Sequence, residues 1–498
     1  MPFIIRLGNE DVERFSLASL DANPLHCSDD YARKTSFGQR VAHGMLGFLA
    51  SLRGLTVPDS ATPSRITIDF KAAMLPDVAY ELRVVSESIR SVKAIVTDGS
   101  TTVTRFGIEF GNAEPDLAEL SDAATAPRRR PRSIPIDELT PGVSFRGRYG
   151  PPQAAYLELL KHFGIARTQW GDGLLLTILA CSYLTGMELP GESALLWSLN
   201  AEILPPRPEV PSDFEIAVTH CDRRFAMIRS QFCLGSGPRV FARGEVVATV
   251  RPSPAKAAVS RTEPLSTQFK GKRAIVVGAS RGLGAAFSLE LAAGGASVVG
   301  LYSQSRDDAD ELLSASRDLP GRLTLEQGDA GDPNWCRVLK QRVRDELGSV
   351  DLLICNAAPA IQPLLVEDAC FDRIRAYVDR GLALVGAPLS SFLDLVAASH
   401  GCVIVISSAA VESPPPHWPQ YVALKAAAEG LTRAAAAHYR DVTFVIARPD
   451  KIRTSFSSTP LGLVDAEDAS TVARRILESA GALTRSASRD TDDVHFCR

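Results

Sequence analysis

The sequence predicts two α+β units of the same layout, followed by an α/β domain built on a doubly wound parallel sheet. Before Arg251, one order of elements occurs twice, each time an apolar helical stretch followed by long strand-like runs. From Lys272 onward, short β-branched runs alternate with helical stretches, which is typical of a parallel sheet. Two segments rich in proline and charge separate these parts.

The composition is that of a folded protein without a nucleic-acid partner. A chain of 498 residues is too long for one core and indicates several domains. The net charge of −4 gives no basic footprint. We find no apolar signal core at the start and no apolar run of the ~18 residues that a membrane helix needs. The nine cysteines lack metal-site spacing, so we expect reduced thiols, a cytoplasmic location and no metal.

Two composition breaks predict linkers. The first, Ala126–Ser133, holds an arginine cluster that either is a solvated linker or holds an anionic ligand such as a phosphopantetheine carrier. The second begins at Arg251 and ends at the strand that starts at Arg273. The predicted division is a first unit 1–115, a linker 116–136, a second unit 137–252, a linker 253–267 and a final domain 268–498.

In the two α+β units, each helix is expected to lie against an antiparallel sheet. The predicted helices are Val41–Leu52 and Leu174–Tyr183. The predicted strand regions are Arg65–Phe70, Tyr80–Ser86 and Ser91–Phe110 in the first copy, and Ala194–Ile203, Phe214–Thr219 and Arg224–Val250 in the second. The predicted strands of the final domain are Ala274–Val277, Ser297–Leu301, Val350–Cys355, Cys402–Ile406 and Val442–Ile446.

A glycine-rich turn follows the first strand of the final domain. Gly278, Gly282 and Gly284 lie between this strand and a helix. Glycines at such a junction let the backbone approach a pyrophosphate, which binds the free N–H groups of the helix N-terminus. A tight turn alone explains many matches of this kind, so the motif needs support from other residues.

That support comes from Tyr421 and Lys425, which lie on one face of a helix because they are four residues apart. A lysine ammonium near a phenol lowers the pKa of the phenol, which can then give a proton to a carbonyl oxygen as hydride arrives. Ser408, at the end of a strand, can steady the same oxygen. Taken alone, the tyrosine and lysine are equally compatible with a solvated helix surface.

Together these residues resemble the short-chain dehydrogenase/reductase family over about residues 268–485. The resemblance implies a Rossmann-type fold with Tyr421 as general acid, Lys425 as ribose ligand and Ser408 as substrate-positioning residue. It implies Asp329 near the adenine and Thr454 near the nicotinamide. The residues expected at the cofactor are Gly278, Ser280, Arg281, Gly282, Leu283, Gly284, Ser303, Asp329, Asn356, Ala357, Tyr421, Lys425 and Thr454.

The sequence departs from the family pattern at three places. The asparagine of the catalytic tetrad is replaced by Asp379 or Val378, which puts the efficiency of the proton relay in doubt. The usual Pro-Gly after the sixth strand is Pro449-Asp450. The tail after Leu483 lacks the usual closing strand, for which Val494–Phe496 is a candidate.

Charge at the end of the second strand predicts the cofactor. NAD-specific sheets place an acid there for the ribose 2′-hydroxyl, whereas this chain reads Leu301 to Gln304 without a carboxylate. Arg281 can pair with a 2′-phosphate and Ser303 can hydrogen-bond to it. Arg281 is also compatible with a solvated loop position, but the missing acid favours NADPH over NADH.

A second chemical motif lies near the N-terminus. Asp21 and His26 are separated by Asn23-Pro24, which prevents one regular helix from holding both. Such a loop can turn both side chains toward one water, so that one activates the water and the other exchanges the α-proton of an enoyl thioester. Read alone, the pair is equally explained by a helix N-cap and a surface histidine.

The wider pattern, Asp21-x-Asn23-Pro24-x-His26, then Phe37-Gly38, then Val41–Met45, resembles the MaoC-like (R)-specific enoyl-CoA hydratases of the hot-dog fold. The match covers about residues 5–112, except that Leu20 stands where the family has glycine. It implies that Asp21 and His26 form the catalytic dyad and that Asn23 helps to hold the water. The Gly44 amide is expected to polarise the thioester carbonyl, and His43 to be structural. The second copy lacks the motif and is expected to complete a double hot dog.

The sequence therefore predicts a bifunctional enzyme with a 3-ketoacyl-thioester reductase and a 3-hydroxyacyl-thioester dehydratase or enoyl hydratase. Its substrates are expected to be acyl-CoA or acyl-carrier-protein thioesters of fatty-acid-like or polyketide-like metabolism. We also expect a homo-oligomer that binds neither nucleic acid nor a membrane. The alternatives are a single-activity reductase with an acyl-binding hot-dog domain, and an acyl-binding scaffold that is not an enzyme.

Overall fold

The computed structural model describes residues 2–58, 61–112, 117–120, 130–205, 208–252, 269–457, 462–485 and 494–497. The expected linker 253–267 lies outside these residues, and so do residues 116 and 121–129 of the linker 116–136, among them Arg128 and Arg129 of the arginine cluster. The chain forms two compact units, Met1–Thr35 with Gln39–Ser253, and Ser36–Gly38 with Pro254–Arg498. The finer division at 115 and 137 stays a prediction.

The first unit contains one ten-stranded antiparallel sheet, in the order β1-β3-β4-β5-β2-β7-β10-β9-β8-β6. The strands are β1 (Phe3–Arg6), β2 (Thr62–Phe70), β3 (Ala79–Ser88), β4 (Ser91–Asp98), β5 (Thr101–Gly111), β6 (Ser144–Tyr149), β7 (Ala194–Ile203), β8 (Ser212–Asp222), β9 (Met227–Leu234) and β10 (Ala242–Val250).

This strand order confirms the duplication. The order β1-β3-β4-β5-β2 recurs in reverse as β7-β10-β9-β8-β6, since β6 to β10 repeat β1 to β5 one by one. The two halves join where β2 pairs antiparallel with β7, with Ile68 opposite Leu199. The sequence did not predict β1 and β6, because short strands at the sheet edges have little apolar alternation.

Two buried helices form the centre of the first unit. The residues of α4 from Met45 to Ser51 are all buried, and α4 packs against its counterpart α7 inside a single core that both halves share. Helices with no polar face are expected where a sheet surrounds them. The helices are α1 (Asn9–Ser19), α2 (Pro24–Cys27), α3 (Asp29–Arg33), α4 (Gly44–Ser51), α5 (Gln153–Phe163), α6 (Arg167–Trp170) and α7 (Asp172–Tyr183), followed by a π-helical turn (Leu184–Glu188). This is the double hot dog that was expected.

The second unit has a parallel seven-stranded sheet in the order β13-β12-β11-β14-β15-β16-β19. Its strands are β11 (Arg273–Val277), β12 (Ser297–Tyr302), β13 (Arg322–Gln327), β14 (Leu352–Cys355), β15 (Cys402–Ile406), β16 (Thr443–Ala447) and β19 (His495–Cys497), with a separate pair β17 (Ile452–Arg453) and β18 (Glu467–Asp468). Its helices are α8 (Gly282–Ala293), α9 (Arg306–Ser316), α10 (Pro333–Leu347), α11 (Asp368–Ala397), α12 (Pro419–His438) and α13 (Ala469–Arg485).

The order reverses between β11 and β14, as in a doubly wound sheet, where ligands bind beyond the carboxyl ends of the strands at this switch point. Separate apolar clusters cover the two faces of the sheet. The candidate closing strand at the C-terminus is confirmed, because β19 pairs parallel with β16, with Phe496 opposite Ile446.

Helix α11 corrects one sequence expectation. By length and composition alone it could cross a membrane, although we found no such segment in the sequence. In the structure, 56% of its most apolar 18-residue stretch is buried. The helix packs on α10, α12 and β14. A core helix of an α/β domain has the same composition, so its apolar residues are explained by packing.

Candidate active sites

Asp21 lies in the short loop between α1 and α2, and only 2% of it is exposed. The preceding Leu20 has φ 61°, in the left-handed region that favours glycine. The resembling family has glycine at this place, so the backbone turn is kept here with a side chain that adopts it less readily. The turn directs the Asp21 carboxylate into the core of the first unit.

Two hydrogen bonds hold the Asp21 carboxylate. Its Oδ1 accepts from the Asn23 N–H at 3.1 Å, and its Oδ2 accepts from the Ser182 hydroxyl at 2.7 Å. Burial raises the pKa of Asp21, and the nearby His26 and these two donors oppose that rise. Asp21 is therefore able to keep a proton at a higher pH than an exposed aspartate.

His26 lies beside Asp21 and stacks on His43, with 3.8 Å between ring centroids. Its Nδ1 is 2.8 Å from the Val41 carbonyl oxygen, which can only accept, so Nδ1 carries the hydrogen and Nε2 is left as a proton acceptor. Burial, with the neighbouring His43, lowers the pKa of His26 to about 3. The sequence prediction that Asp21 and His26 come together is therefore matched by their placement.

His43 is a third member of this cluster, in which one potential ligand atom from each side chain lies within 4.8 Å of the others. Its Nε2 contacts the Asp21 backbone oxygen at 3.2 Å. Stacked imidazole rings direct their lone pairs in parallel, whereas metal ligands must converge on one ion. The geometry therefore suits positioning of the loop better than metal binding.

Asn23 has a different environment from the expected one. Its Oδ1 accepts from the Leu25 N–H and caps α2, while its Nδ2 donates to the backbone oxygens of Gly186, Gly191 and Glu192. These bonds connect the catalytic loop to the second half of the unit. Asn23 thus positions the loop, and the water-holding role that the resemblance implied stays a prediction.

Gly44 begins α4, where amide groups lack partners within the helix. A Cβ at this position would lie 2.8 Å from Cε1 of Phe70, so close packing requires glycine. The placement is compatible with the expected contact to a thioester carbonyl.

In the second unit, the glycine turn connects β11 to α8 at the switch point of the sheet. Gly278 and Gly282 have positive φ, and a Cβ at Gly284 would lie 2.0 Å from the Gly278 oxygen. The Asn356 amide donates to the same oxygen at 3.2 Å. Only glycines allow this close path, which leaves the α8 N-terminus open to a phosphate group.

The other expected cofactor residues surround this turn. Ala357 lies about 3.0 Å from a Cβ built at Gly278, and Thr454 lies 3.3 Å from one built at Gly282. Ser280 and Arg281 are half-buried in the turn, Leu283 is buried in the core, and Ser303 is exposed just after β12. Asp329 follows β13 and makes a bidentate ion pair with Arg380 of α11, a partner that we did not predict.

Tyr421, Ser408 and Lys425 come together at the N-terminal end of α12. Ser408 hydrogen-bonds to the Tyr421 side chain, and the Lys425 Nζ lies 5.6 Å from the centre of the tyrosine ring. Lys425 is buried and donates to the Ile406 oxygen at 2.6 Å. This is the arrangement that the sequence predicted.

The expected lowering of the Tyr421 pKa is wrong. Burial raises that pKa, and the Ser408 hydrogen bond only opposes the rise. Burial also lowers the pKa of Lys425 to about 8, because the ammonium lies in an apolar surrounding. A raised pKa keeps the tyrosine protonated at neutral pH, as a general acid must be.

The structure also shows the surroundings of the side chains that could take the role of the missing tetrad asparagine. Asp379 is exposed to solvent, and the half-buried Val378 has no polar atom in its side chain. Burial and the nearby Tyr421 raise the pKa of the neighbouring Tyr377, whose hydroxyl donates to the Pro359 oxygen at 2.9 Å. None of the three side chains therefore replaces the asparagine amide.

Comparison with known proteins identifies a family for each of the two parts of the chain. Residues 272–459 match the family model of the short chain dehydrogenases, and residues 4–105 match that of the MaoC like domain. The cis-4-hydroxycyclohexanecarboxylate dehydrogenase of Sinomonas cyclohexanicum is 32% identical over 39% of this chain and 76% of its own length. A fatty acyl-CoA reductase of Acinetobacter baylyi is 30% identical over 34% of this chain and 57% of its own.

Among solved structures, a short chain dehydrogenase from Burkholderia cenocepacia in complex with NADP is 26% identical. It covers 46% of this chain and 97% of its own, with a TM-score of 0.42. The two family models and the Sinomonas cyclohexanicum dehydrogenase together identify the C-terminal and the N-terminal part of the chain. The chain belongs to the short-chain dehydrogenase family and carries a MaoC-like domain in its N-terminal half.

Proposed function

We propose that this chain reduces 3-ketoacyl thioesters with NADPH and dehydrates the resulting 3-hydroxyacyl thioesters to trans-2-enoyl thioesters. The observation that carries the proposal is the presence of two sets of reactive side chains in one chain. Asp21 is buried in the first unit with the half-buried His26 beside it, and Tyr421 lies with Ser408 and Lys425 in the second. The two reactions share the 3-hydroxyacyl thioester, which the first makes and the second consumes.

The reductase site fits a nicotinamide cofactor, which supplies a hydride when bound. The turn from Gly278 to Gly284 receives the pyrophosphate, and Lys425 binds the ribose hydroxyls. Arg281 and Ser303 are assigned to a 2′-phosphate, and β12 ends without the acid that NAD requires. These features favour NADPH over NADH.

Reduction requires a proton on the carbonyl oxygen as the hydride reaches C3. Tyr421 gives this proton, since burial keeps its hydroxyl protonated, and Ser408 holds the carbonyl oxygen beside it. The product is the 3-hydroxyacyl thioester, with one new C–H and one new O–H bond.

In the first unit, Asp21 and His26 share one proton. For hydration, the His26 Nε2 takes a proton from water, the hydroxide oxygen bonds to C3, and Asp21 gives its proton to C2. Dehydration is the reverse, with Asp21 taking the α-proton and His26 protonating the leaving hydroxyl. The Gly44 amide is assigned to the thioester oxygen, where negative charge develops.

The relative named a fatty acyl-CoA reductase supports an acyl thioester as substrate. We propose that the acyl group is bound to coenzyme A or to an acyl carrier protein, in fatty-acid-like or polyketide-like metabolism. We propose further that the chain acts in the cytoplasm as a homo-oligomer.

The test is incubation with acetoacetyl and crotonyl thioesters, each on coenzyme A and on a carrier protein, with NADPH or NADH. We expect NADPH oxidation with the first substrate and hydration of the second. Reduction without hydration would leave a single-activity reductase whose first unit binds acyl chains. Absence of both reactions on every carrier would leave an acyl-binding scaffold.

A further inference from the structure

Ser182 reaches the catalytic aspartate from the other half of the double hot dog. It lies on α7, is 5% exposed, and donates to the Asp21 Oδ2 at 2.7 Å. The second half has no Asp-x-Asn-Pro-x-His sequence and so no dyad of its own. We propose that Ser182 is a positioning residue for the Asp21 carboxylate, which makes the second half an active part of the hydratase site. This inference rests on the hydration and dehydration proposed above.

The surroundings of Ser182 are shaped around the same carboxylate. The π-helical turn Leu184–Glu188 directly follows α7, and π-helical turns occur often at functional sites. A Cβ at Gly186 in this turn would lie 2.4 Å from the Asp21 Oδ1. The Gly186 oxygen accepts from Asn23 at 3.0 Å, so the same turn also holds the loop that carries Asp21.

Ser182 fixes which way the carboxylate faces. The Asn23 N–H holds Oδ1, and the Ser182 hydroxyl holds Oδ2, so the plane of the carboxylate is defined by one donor from each half. The proton exchanged with C2 must leave Asp21 along a defined direction, and a small misplacement of a catalytic group costs a large factor in rate. Without Ser182, the carboxylate is held on one oxygen only.

Four other titratable groups lie around Asp21 and its partner His26. His26 and His43 face it from the first half, Tyr149 of β6 lies near it in the second, and Arg251 acts on His26. The Ser182 hydrogen bond stabilises the ionised carboxylate, so its removal raises the pKa of Asp21 further. Because hydration needs the proton on Asp21, the alkaline limb of the pH profile then moves to higher pH.

The test is Ser182→Ala in the full chain, with crotonyl-CoA hydration measured from acidic to alkaline pH. We expect kcat to fall by about 10- to 100-fold. We expect KM to change by less than about twofold, because the Ser182 hydroxyl donates to the Asp21 carboxylate and is proposed to act through it. The alkaline limb of the pH profile should move to higher pH by about one unit. A shift of this size is expected when a charged group loses one hydrogen bond. Ser182→Thr keeps the hydroxyl and should restore part of kcat and the original limb.

The matched control is Ser51→Ala. Ser51 is buried on α4, the counterpart of α7, and its hydroxyl donates to the Gly47 oxygen at 2.7 Å. This variant loses the same group from the equivalent helix and should keep both kcat and the limb. Thermal unfolding and acetoacetyl-CoA reduction show whether each variant is folded.

The outcomes separate the two proposals. Hydration by the wild-type protein, with Ser182→Ala behaving like Ser51→Ala, overturns the role of Ser182 and leaves the function standing. A loss of kcat with an unmoved limb and no recovery in Ser182→Thr also overturns it, since that is a structural effect. If the wild-type protein does not hydrate crotonyl-CoA, the proposed function fails and this inference fails with it.

Discussion

Gly186 packs directly against the Asp21 carboxylate, since a Cβ at Gly186 would lie 2.4 Å from the Asp21 Oδ1. Nonbonded heavy atoms in contact are about 3.5–4.0 Å apart, so any larger residue at this place displaces the carboxylate or the turn. The two residues lie in different halves of the double hot dog. The proposed hydratase site is therefore lined in part by a residue that no local motif identifies.

The first prediction concerns this contact. Gly186→Ala should lower crotonyl-CoA hydration by about 100-fold, because the Asp21 carboxylate moves away from its position beside His26. Reduction of acetoacetyl-CoA should stay unchanged. Gly111→Ala is the control, because its nearest neighbour would be the Ser64 Cβ at an ordinary 3.6 Å. Full hydration activity in Gly186→Ala would show that the contact does not constrain the site.

Asp21→Asn tests whether hydration depends on this dyad alone. The variant keeps shape and most hydrogen bonding but cannot exchange the proton, and the loss expected for a general acid or base is about 10²–10⁴-fold. Supplied with a 3-ketoacyl thioester and NADPH, it should accumulate the 3-hydroxyacyl product, which chromatography detects. Enoyl product at the wild-type rate would place the dehydratase site elsewhere.

Tyr421→Phe tests the proton donor of the reductase. Without the hydroxyl, NADPH oxidation by acetoacetyl-CoA should be abolished, because the carbonyl oxygen receives no proton. Crotonyl-CoA hydration serves as the internal control and should be intact. Retention of more than a few per cent of the reduction rate would mean that another group is the acid.

Arg281→Ala tests the choice of cofactor. A charge-assisted contact to the 2′-phosphate is worth about 1.5–3 kcal/mol, so KM for NADPH should rise roughly 10- to 100-fold while KM for NADH changes little. The control is Arg317→Ala, which removes an exposed arginine after α9. Equal losses with the two cofactors would contradict the NADPH assignment.

The lowered pKa of Lys425 predicts how the rate of reduction depends on pH. Burial lowers its pKa to about 8, so the ammonium is present below that pH and is lost as the pH rises through it. We expect kcat/KM for NADPH, which reports the free enzyme, to fall through this range because the ribose loses its charged donor. Lys425→Arg stays charged and should lack this limb at any residual activity. The same limb in both proteins would assign it to another group.

Most of the residues that meet in each candidate site could be predicted from sequence because they lie close together along the chain. Asp21 and His26 lie in one loop, Tyr421 and Lys425 lie one helical turn apart, and the glycine turn follows one strand. The duplicated α+β layout and the parallel sheet were also predictable, since each element has its own apolar period. The strand β19 was only a candidate, and β1, β6 and β13 were missed, because these edge strands lack the continuous apolar run that marks the buried strands of similar length.

Tertiary structure alone decided how these groups are held and charged. The contact of Ser182 with Asp21 exists because α7 packs beside α4 and β2 pairs with β7, and no spacing in the sequence encodes that meeting. The pKa of Tyr421 is raised because burial outweighs the Ser408 hydrogen bond, whereas the sequence shows only that a lysine is near. Sequence determines which groups the chain carries along each element. Desolvation and contact between remote segments arise only when the elements pack, and they set the orientation and charge of those groups.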